Sequence, residues 1–262
     1  MSGLIDSHCH LTSEALWPQA DEVIARATAA GVTEFVTIAT DLEDAERVSQ
    51  LAARHSCVHM VCGIHPHEAG KVADGWDRAL SDLAARTDVY AVGEMGLDYH
   101  YDYADRPSQL RVFRRQLEIA TEVNKPVVIH CREAHNDVIG VLHDFPGLRG
   151  VVFHCFTGTL IEARDILDQG YWLSLTGVLT FKRSDELREV AWLLPVNQMM
   201  IETDSPYLSP EPLRSVRPNE PAHLVHTASC LARIRGITVE GLTALTRSNT
   251  QRFFGLPERG TP

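Results

Sequence analysis

Ile5-Asp6-Ser7-His8-Cys9-His10-Leu11 is a short apolar entry into two histidines spaced by one residue. On an extended strand residues i and i+2 face the same side, so His8 and His10 project together and one metal ion can accept both. Two half-buried histidines bonded to backbone fit the same spacing, and the rest of the chain decides between the readings. Four later apolar, β-branched runs each finish on a ligand-type residue: Val89-Tyr90-Ala91-Val92-Gly93-Glu94, Val127-Val128-Ile129-His130, Val151-Val152-Phe153-His154 and Met200-Ile201-Glu202-Thr203-Asp204. A lone strand histidine is more often a satisfied core residue than a ligand. Recurrence at the same place on separate strands reverses that balance, because several ionisable groups converging on one point are costly without a cation.

Working outward, residues 34–40, 58–64, 171–175 and 198–201 also read as strands. Helical spacing covers residues 18–30, 42–55, 76–86, 106–124, 135–144, 161–169, 186–194, 221–235 and 239–254. Eight buried-type strands alternating with helices predict an α/β fold with a parallel sheet. A doubly wound open sheet gives the same alternation. The closed (β/α)8 TIM barrel is preferred because the candidate ligands end the first, fourth, fifth, sixth and eighth strands, and only a ring brings those ends around one point. With 262 residues, 44% of them hydrophobic, the whole span 1–262 is expected to be a single domain.

Thirty-five acidic against 24 basic residues give a formal net charge of −11, which repels polyanions and acidic membrane surfaces. Any nucleic-acid contact must therefore come from a local basic rim. Neither a leader pattern nor an apolar run of membrane-spanning length is present, and a cytoplasmic protein is expected. The six cysteines form no CxxC pair, as suits a reducing compartment. Cys9, Cys131 and Cys155 each adjoin a candidate histidine, and strand alternation turns them toward the helices as small core fillers.

Six groups, His8, His10, Glu94, His130, His154 and Asp204, exceed the three protein ligands of a mononuclear catalytic zinc. Two divalent ions sharing a carboxylate, about 3.5 to 4 Å apart, suit the set better. Imidazole-rich ligation suits Zn2+, whereas phosphate chemistry commonly uses Mg2+ or Mn2+.

These residues sit in a wider set of motifs: Gly63-Ile64-His65-Pro66-His67, Gly93-Glu94-Met95-Gly96-Leu97-Asp98-Tyr99, Ile129-His130-Cys131-Arg132-Glu133-Ala134, Phe153-His154-Cys155-Phe156-Thr157-Gly158, Thr180-Phe181-Lys182, Glu202-Thr203-Asp204-Ser205-Pro206-Tyr207-Leu208 and Asn219-Glu220-Pro221. In them the chain resembles the TatD-type metal-dependent deoxyribonuclease family, within the amidohydrolase-like barrels. Thr12 departs from the family's usual Asp at a position that is not a metal ligand. The resemblance implies that His8, His10, Glu94 and Asp204 hold one ion and Glu94, His130 and His154 the other, with Glu94 the bridge. It also implies a metal-activated water cleaving phosphodiester bonds at DNA ends, in the manner of a 3'-5' exonuclease.

Catalytic roles are expected for Glu94, for Asp204 as general base, and for His65, which either meets a phosphate or leaving group or fixes the Pro66 turn. Arg132, Lys182, Arg183, Arg214 and Arg217 are the expected substrate contacts. Their plainer readings pair Arg132 with Glu133 or Asp137, and Arg214 and Arg217 with Glu211 and Glu220. Glu202 either points inward beside the site or forms a salt bridge below it, and His67 is the histidine less able to reach the ions. A monomer acting on DNA ends, with no membrane partner, is expected. The same ions would also activate water against an ester or amide carbonyl, including an aminoacyl ester on transfer RNA, and a non-catalytic metal-binding scaffold is a third class.

Overall fold

The computed structural model describes residues 3–101 and 103–257. The expected domain span 1–262 thus includes termini, and one internal residue, that lie outside the described residues. Eight strands, β1 (Leu4–Cys9), β2 (Val32–Ile38), β3 (Val58–Cys62), β4 (Val89–Asp98), β5 (Val127–Arg132), β6 (Val151–Phe153), β7 (Trp172–Leu175) and β8 (Met199–Ile201), form one sheet in sequence order. Beyond β8 the chain bonds back to the end of β1: the Asp204 N–H donates to the His8 carbonyl at 3.0 Å, and the His10 N–H to the Ser205 carbonyl at 2.8 Å. The fold class is the (β/α)8 TIM barrel. The helices are α1 (Ala20–Ala29), α2 (Leu42–Arg54), α3 (Trp76–Ala84), α4 (Arg106–Glu122), α5 (His135–Leu142), α6 (Leu160–Asp168), α7 (Asp185–Leu193), α8 (Leu224–Arg235) and α9 (Val239–Phe254).

The described residues fall into two compact units, one of residues up to 37 and from 155 onward, the other of residues 38–154. In the first, β1 is buried along its whole length and α9 lays Leu242, Phe253 and Phe254 into the core. Arg247 of α9 reaches the buried carboxylate of Glu34 and also donates to the Gly3 carbonyl at 3.0 Å, pairing a charge that would be expensive alone. Gly236 and Gly255, both left-handed, stop α8 and α9 where a side chain would be strained.

In the second unit α4 does more than cover the sheet. Its first turn is capped by the Asp105 carboxylate, which accepts from the Ser108 N–H at 2.9 Å. Its buried face carries Val112, Phe113 and Leu117, and also two buried glutamines seven residues apart, on one side of the helix. Gln116 accepts from the Ile64 N–H at 2.7 Å and donates to the Ile64 carbonyl at 2.9 Å. Gln109 accepts from the Asp98 N–H at 2.8 Å and donates to the Asp98 carbonyl at 3.0 Å. Each glutamine satisfies both backbone groups of one residue, Ile64 just past β3 and Asp98 at the last position of β4, so α4 clamps the segments leading into His65 and out of β4.

β4 runs on to Asp98, so Glu94 lies within the strand rather than at its end. Its pairing with β5 shifts register between Val92 and Met95, which brackets Gly93 and Glu94. Two glycines make that break possible. Gly93 has φ +149° and a Cβ there would sit 2.6 Å from the Val128 carbonyl oxygen; Gly96 has φ +142° and its Cβ would sit 2.0 Å from the His130 carbonyl oxygen.

Candidate metal centre

In the first unit, His8 is the last but one residue of β1 and His10 follows just past the strand. Their Nε2 atoms lie 3.2 Å apart, and Asp204 Oδ1 is 3.8 Å from the first and 3.5 Å from the second. The expected same-side projection of the two imidazoles is therefore observed. Donors held about 2.1 Å from a tetrahedral ion lie about 3.4 Å from one another. The triad's three separations straddle that edge length, and two imidazole nitrogens with a carboxylate oxygen are a common catalytic donor set.

Two buried carboxylates hold this triad in place. Asp6 accepts from the Thr203 N–H at 2.9 Å and the Thr203 hydroxyl at 2.5 Å, and more distantly from the His8 N–H at 3.4 Å. Burial pushes the Asp6 carboxyl up to about 8 despite those bonds. Glu202 accepts from the Cys155 N–H at 2.6 Å and from the Ser174 hydroxyl. It points inward, and the residues it fixes include Cys155, whose φ is +47°. Asp204 itself has φ +52°, a conformation an aspartate tolerates better than most residues. Asn219 stitches the following loop by donating to the Thr203 and Tyr207 carbonyls at 3.1 and 2.6 Å. That gives a reason for Asn219-Glu220-Pro221 to accompany the site.

In the second unit the carboxylate is central. Glu94 Oε1 lies 2.6 Å from His130 Nδ1, 2.6 Å from His154 Nε2 and 3.4 Å from His65 Nε2. Burial alone would push its carboxyl up, but the charges of His154 and His65 and the hydrogen bonds from His130 and His154 hold it well below the usual carboxylate range. His130 has its other nitrogen engaged as well: Nε2 is 3.0 Å from Asp98 Oδ2, and the same oxygen is 2.8 Å from His67 Nε2. Asp98 is fully buried. Burial lowers the His130 pKa, yet the bonds to Asp98 and Glu94 win and raise it. Glu94, His130 and His154 offer one carboxylate oxygen and two ring nitrogens within coordinating reach of each other. The Asp98 bond on the far nitrogen of His130 is the kind of outer contact that would orient that imidazole toward an ion.

Of the two roles expected of His65, the structure shows the turn-fixing one. Its Nδ1 accepts from the His67 N–H at 3.1 Å, capping the turn at Pro66, while its Nε2 faces Glu94; burial lowers its pKa to about 4. His67 shares Asp98 Oδ2 with His130 and also meets its ring edge-on at 6.1 Å; with His65 the two bring ring nitrogens within 4.8 Å of one another. Sequence reasoning singled out neither Asp98 nor Asp6 nor the two glutamines of α4, although both aspartates lay inside quoted motifs.

Of the expected substrate contacts, four gather on two loops of the first unit. Lys182 and Arg183 follow β7, and Arg214 and Arg217 follow β8. The guanidinium of Arg214 stacks on Phe181 at 3.9 Å from the ring centre, and the Glu211 N–H donates to the Thr180 hydroxyl at 2.8 Å, tying the two loops together. Arg217 bonds the Arg214 and Val216 carbonyls, while Glu220 pairs with Arg26 at 2.8 Å. Arg132, in the second unit, lies with Cζ 4.7 Å from the Tyr101 ring centre. Its expected acidic neighbours are engaged elsewhere: Glu133 with His100 at 2.7 Å and Asp137 with the Tyr99 hydroxyl at 2.6 Å. Cys9 is fully buried as expected, with its thiol on the Val36 carbonyl at 3.5 Å, whereas Cys131 and Cys155 are only half-buried.

The sequence profile described as TatD related DNase matches residues 5–255. The chain is 37% identical over 258 residues to a protein named 3'-5' ssDNA/RNA exonuclease TatD from Citrobacter koseri, covering 97% of this chain and 99% of that one. It is 35% identical to an uncharacterized metal-dependent hydrolase, YabD, from Bacillus subtilis, over 96% of this chain and 98% of that one. Among solved structures it resembles YjjV, a TatD homolog from Escherichia coli, with a TM-score of 0.92, 28% identity, and coverage of 97% and 98%. An uncharacterized amidohydrolase from Saccharomyces cerevisiae shares the fold, with a TM-score of 0.85 at 18% identity over 97% of this chain and 100% of that one. Among the described residues no helix is long and apolar enough to cross a membrane.

Proposed function

The chain belongs to the TatD-related DNase family, and from that premise we propose that it hydrolyses phosphodiester bonds at the ends of single-stranded DNA, using two divalent metal ions. The observation that carries the reading is the pairing of a full-length match to relatives named as 3'-5' exonucleases with two complete imidazole–carboxylate triads. His8, His10 and Asp204 would hold one ion, and Glu94, His130 and His154 the other. When bound, such ions lower the pKa of water toward neutrality and neutralise charge on phosphoryl oxygens.

The protein's own groups then divide the work. Asp204, turned into the site by its left-handed backbone, takes the water's proton as general base. Glu94 is held ionised by its ring of imidazoles and is therefore available as a ligand at neutral pH. Asp98 keeps His130 with Nδ1 aimed at Glu94. His65, neutral at physiological pH, donates toward a phosphate or leaving oxygen. Arg132, Lys182, Arg183, Arg214 and Arg217 meet the phosphates of the strand end. We further propose that the whole chain acts as one catalytic domain, as a monomer in the cytoplasm, where its six free cysteines stay reduced.

The deciding experiment incubates purified, metal-titrated protein with end-labelled single-stranded DNA, a charged transfer RNA and simple lactones in parallel. Stepwise mononucleotide release from the DNA, dependent on added Zn2+, Mn2+ or Mg2+, is the expected result. Faster turnover of the aminoacyl ester or lactone would move the activity to carbonyl chemistry.

A further inference from the structure

The loop between β4 and α4 carries an aromatic surface that the hydrolytic machinery above does not use. Tyr101 is 41% exposed and Tyr103 64%, with ring centroids 5.5 Å apart and planes tilted by only 33°. Arg132 sits over the Tyr101 ring, 4.7 Å from its centre. The surface adjoins the Glu94 cluster: the His67 ring lies 5.6 Å from Tyr101 and 4.7 Å from Tyr103, and His67 shares the Asp98 carboxylate with His130. The other Asp98 oxygen fixes the loop by accepting from the His100 and Tyr101 N–H groups, each at 3.0 Å. One buried carboxylate therefore positions both a metal-ligand histidine and the start of the aromatic surface.

We propose that Tyr101 and Tyr103, with Arg132, are a stacking subsite for the nucleobase next to the bond being cut. This rests on the phosphodiesterase reading above and adds to it the part of the substrate that is recognised. Exposed aromatic rings beside a guanidinium suit a nucleobase because every base has a π face, so such a surface grips single strands with little sequence preference. A duplex end keeps its bases stacked on each other and engages it poorly. A role confined to bracing His67 would act equally on substrates with and without a base.

The test combines base removal with ring removal on single-stranded DNA oligonucleotides. Strands with a normal or an abasic residue at the 3' terminus, or at one of the next two positions, are offered to metal-loaded wild type, Tyr101→Ala, Tyr103→Ala and the two Tyr→Phe variants. Binding is read by fluorescence anisotropy on phosphorothioate strands and cleavage by product release. Each Ala variant should lose about tenfold in affinity for the base-bearing strand. Phe should restore it, and on the strand lacking the contacted base the loss should shrink to within about twofold. The wild type itself should lose about tenfold on that abasic strand, which tests the idea even if an Ala variant folds poorly. Equal losses on both strands, or none, overturn the stacking subsite. Wild type that binds in the expected pattern but does not cut leaves the subsite standing and removes the hydrolytic reading. Cutting without the pattern removes the subsite alone, and absence of both binding and cutting removes both.

Discussion

The His8–His10–Asp204 and Glu94–His130–His154 triads offer the same donors, two imidazole nitrogens and a carboxylate oxygen, yet are built in opposite ways. The first is set by backbone: Asp204 and Ser205 bond to the end of β1, and Asp6 and Glu202 accept main-chain N–H groups beneath it. Its donors stand 3.2 to 3.8 Å apart. The second is set by side chains, with Glu94 ringed by imidazoles and His130 gripped on both nitrogens. The difference teaches where each is vulnerable. A backbone-built site fails with the stability of its segment, whereas a relay-built site fails one side chain at a time with the fold intact.

Glu94→Gln should give the largest effect, a loss of activity beyond the roughly 10- to 100-fold that removing an outer partner costs. Cys131→Ser, one residue from His130, should remain active. Metal analysis of the purified proteins should find two ions per wild-type chain and fewer in Glu94→Gln; loss of both would be the mark of the bridging role that the sequence resemblance implies. Equal inactivation by the two substitutions in folded proteins would sink the side-chain account. Next in size, Asp98→Asn should weaken the ion held by Glu94, His130 and His154 about 10- to 100-fold, leaving the other ion nearly unchanged. Competitive chelation separates the two ions, and a matched weakening of both would erase the contrast between the triads.

That contrast also separates what was readable in the sequence from what was not. The members of each triad were legible because they lie in or just past apolar strand runs, and the structure brings His8, His10 and Asp204 together in one unit and Glu94, His130 and His154 in the other. The end of β4 was misplaced since its register break depends on Gly93 and Gly96, whose unusual φ carries no periodic signal. Gln109 and Gln116 were invisible for a different reason. A polar residue on a helix reads as solvated, and only the fold shows that Gln116 faces a backbone 52 residues away in sequence. Asp98 and Asp6 are of the same kind: their partners are residues that tertiary structure alone brings near. Likewise, tyrosines in a loop read as neutral until their rings are seen beside His67.

Asp6→Ala tests the backbone-built triad. Whichever protonation state its raised carboxyl takes, Ala removes the acceptor of the Thr203 N–H and the partner of its hydroxyl in a buried setting. A loss of about 1–3 kcal/mol in stability is expected, seen as a lower urea midpoint with unchanged slope. Activity of the fraction that remains folded should fall less than in Asp98→Asn. A variant with wild-type stability and lost activity would mean that Asp6 acts on the chemistry and not through the chain segment it pins.

The smallest effect distinguishes two groups of proposed substrate contacts. Lys182, Arg183, Arg214 and Arg217 lie on two loops tied to each other, while Arg132 lies over the Tyr101 ring. Each phosphate neutralised on a single strand adds about −0.7 to the slope of log K against log salt. Two to four engaged phosphates give a slope near about −1.4 to −2.8, measured on a cleavage-resistant phosphorothioate strand that keeps one charge per linkage. Lys182→Ala should flatten that slope by about 0.7. Arg132→Ala should instead lower affinity at every salt concentration by more than its share of the slope, because stacking survives screening where phosphate contacts do not. Arg217 is the sharper case: its guanidinium already bonds two carbonyls, so its charge stays fixed near the loop and its replacement should flatten the slope as Lys182→Ala does. If neither changes it, phosphate is met elsewhere, and a much steeper wild-type slope would mean that the net charge of −11 conceals an extended track.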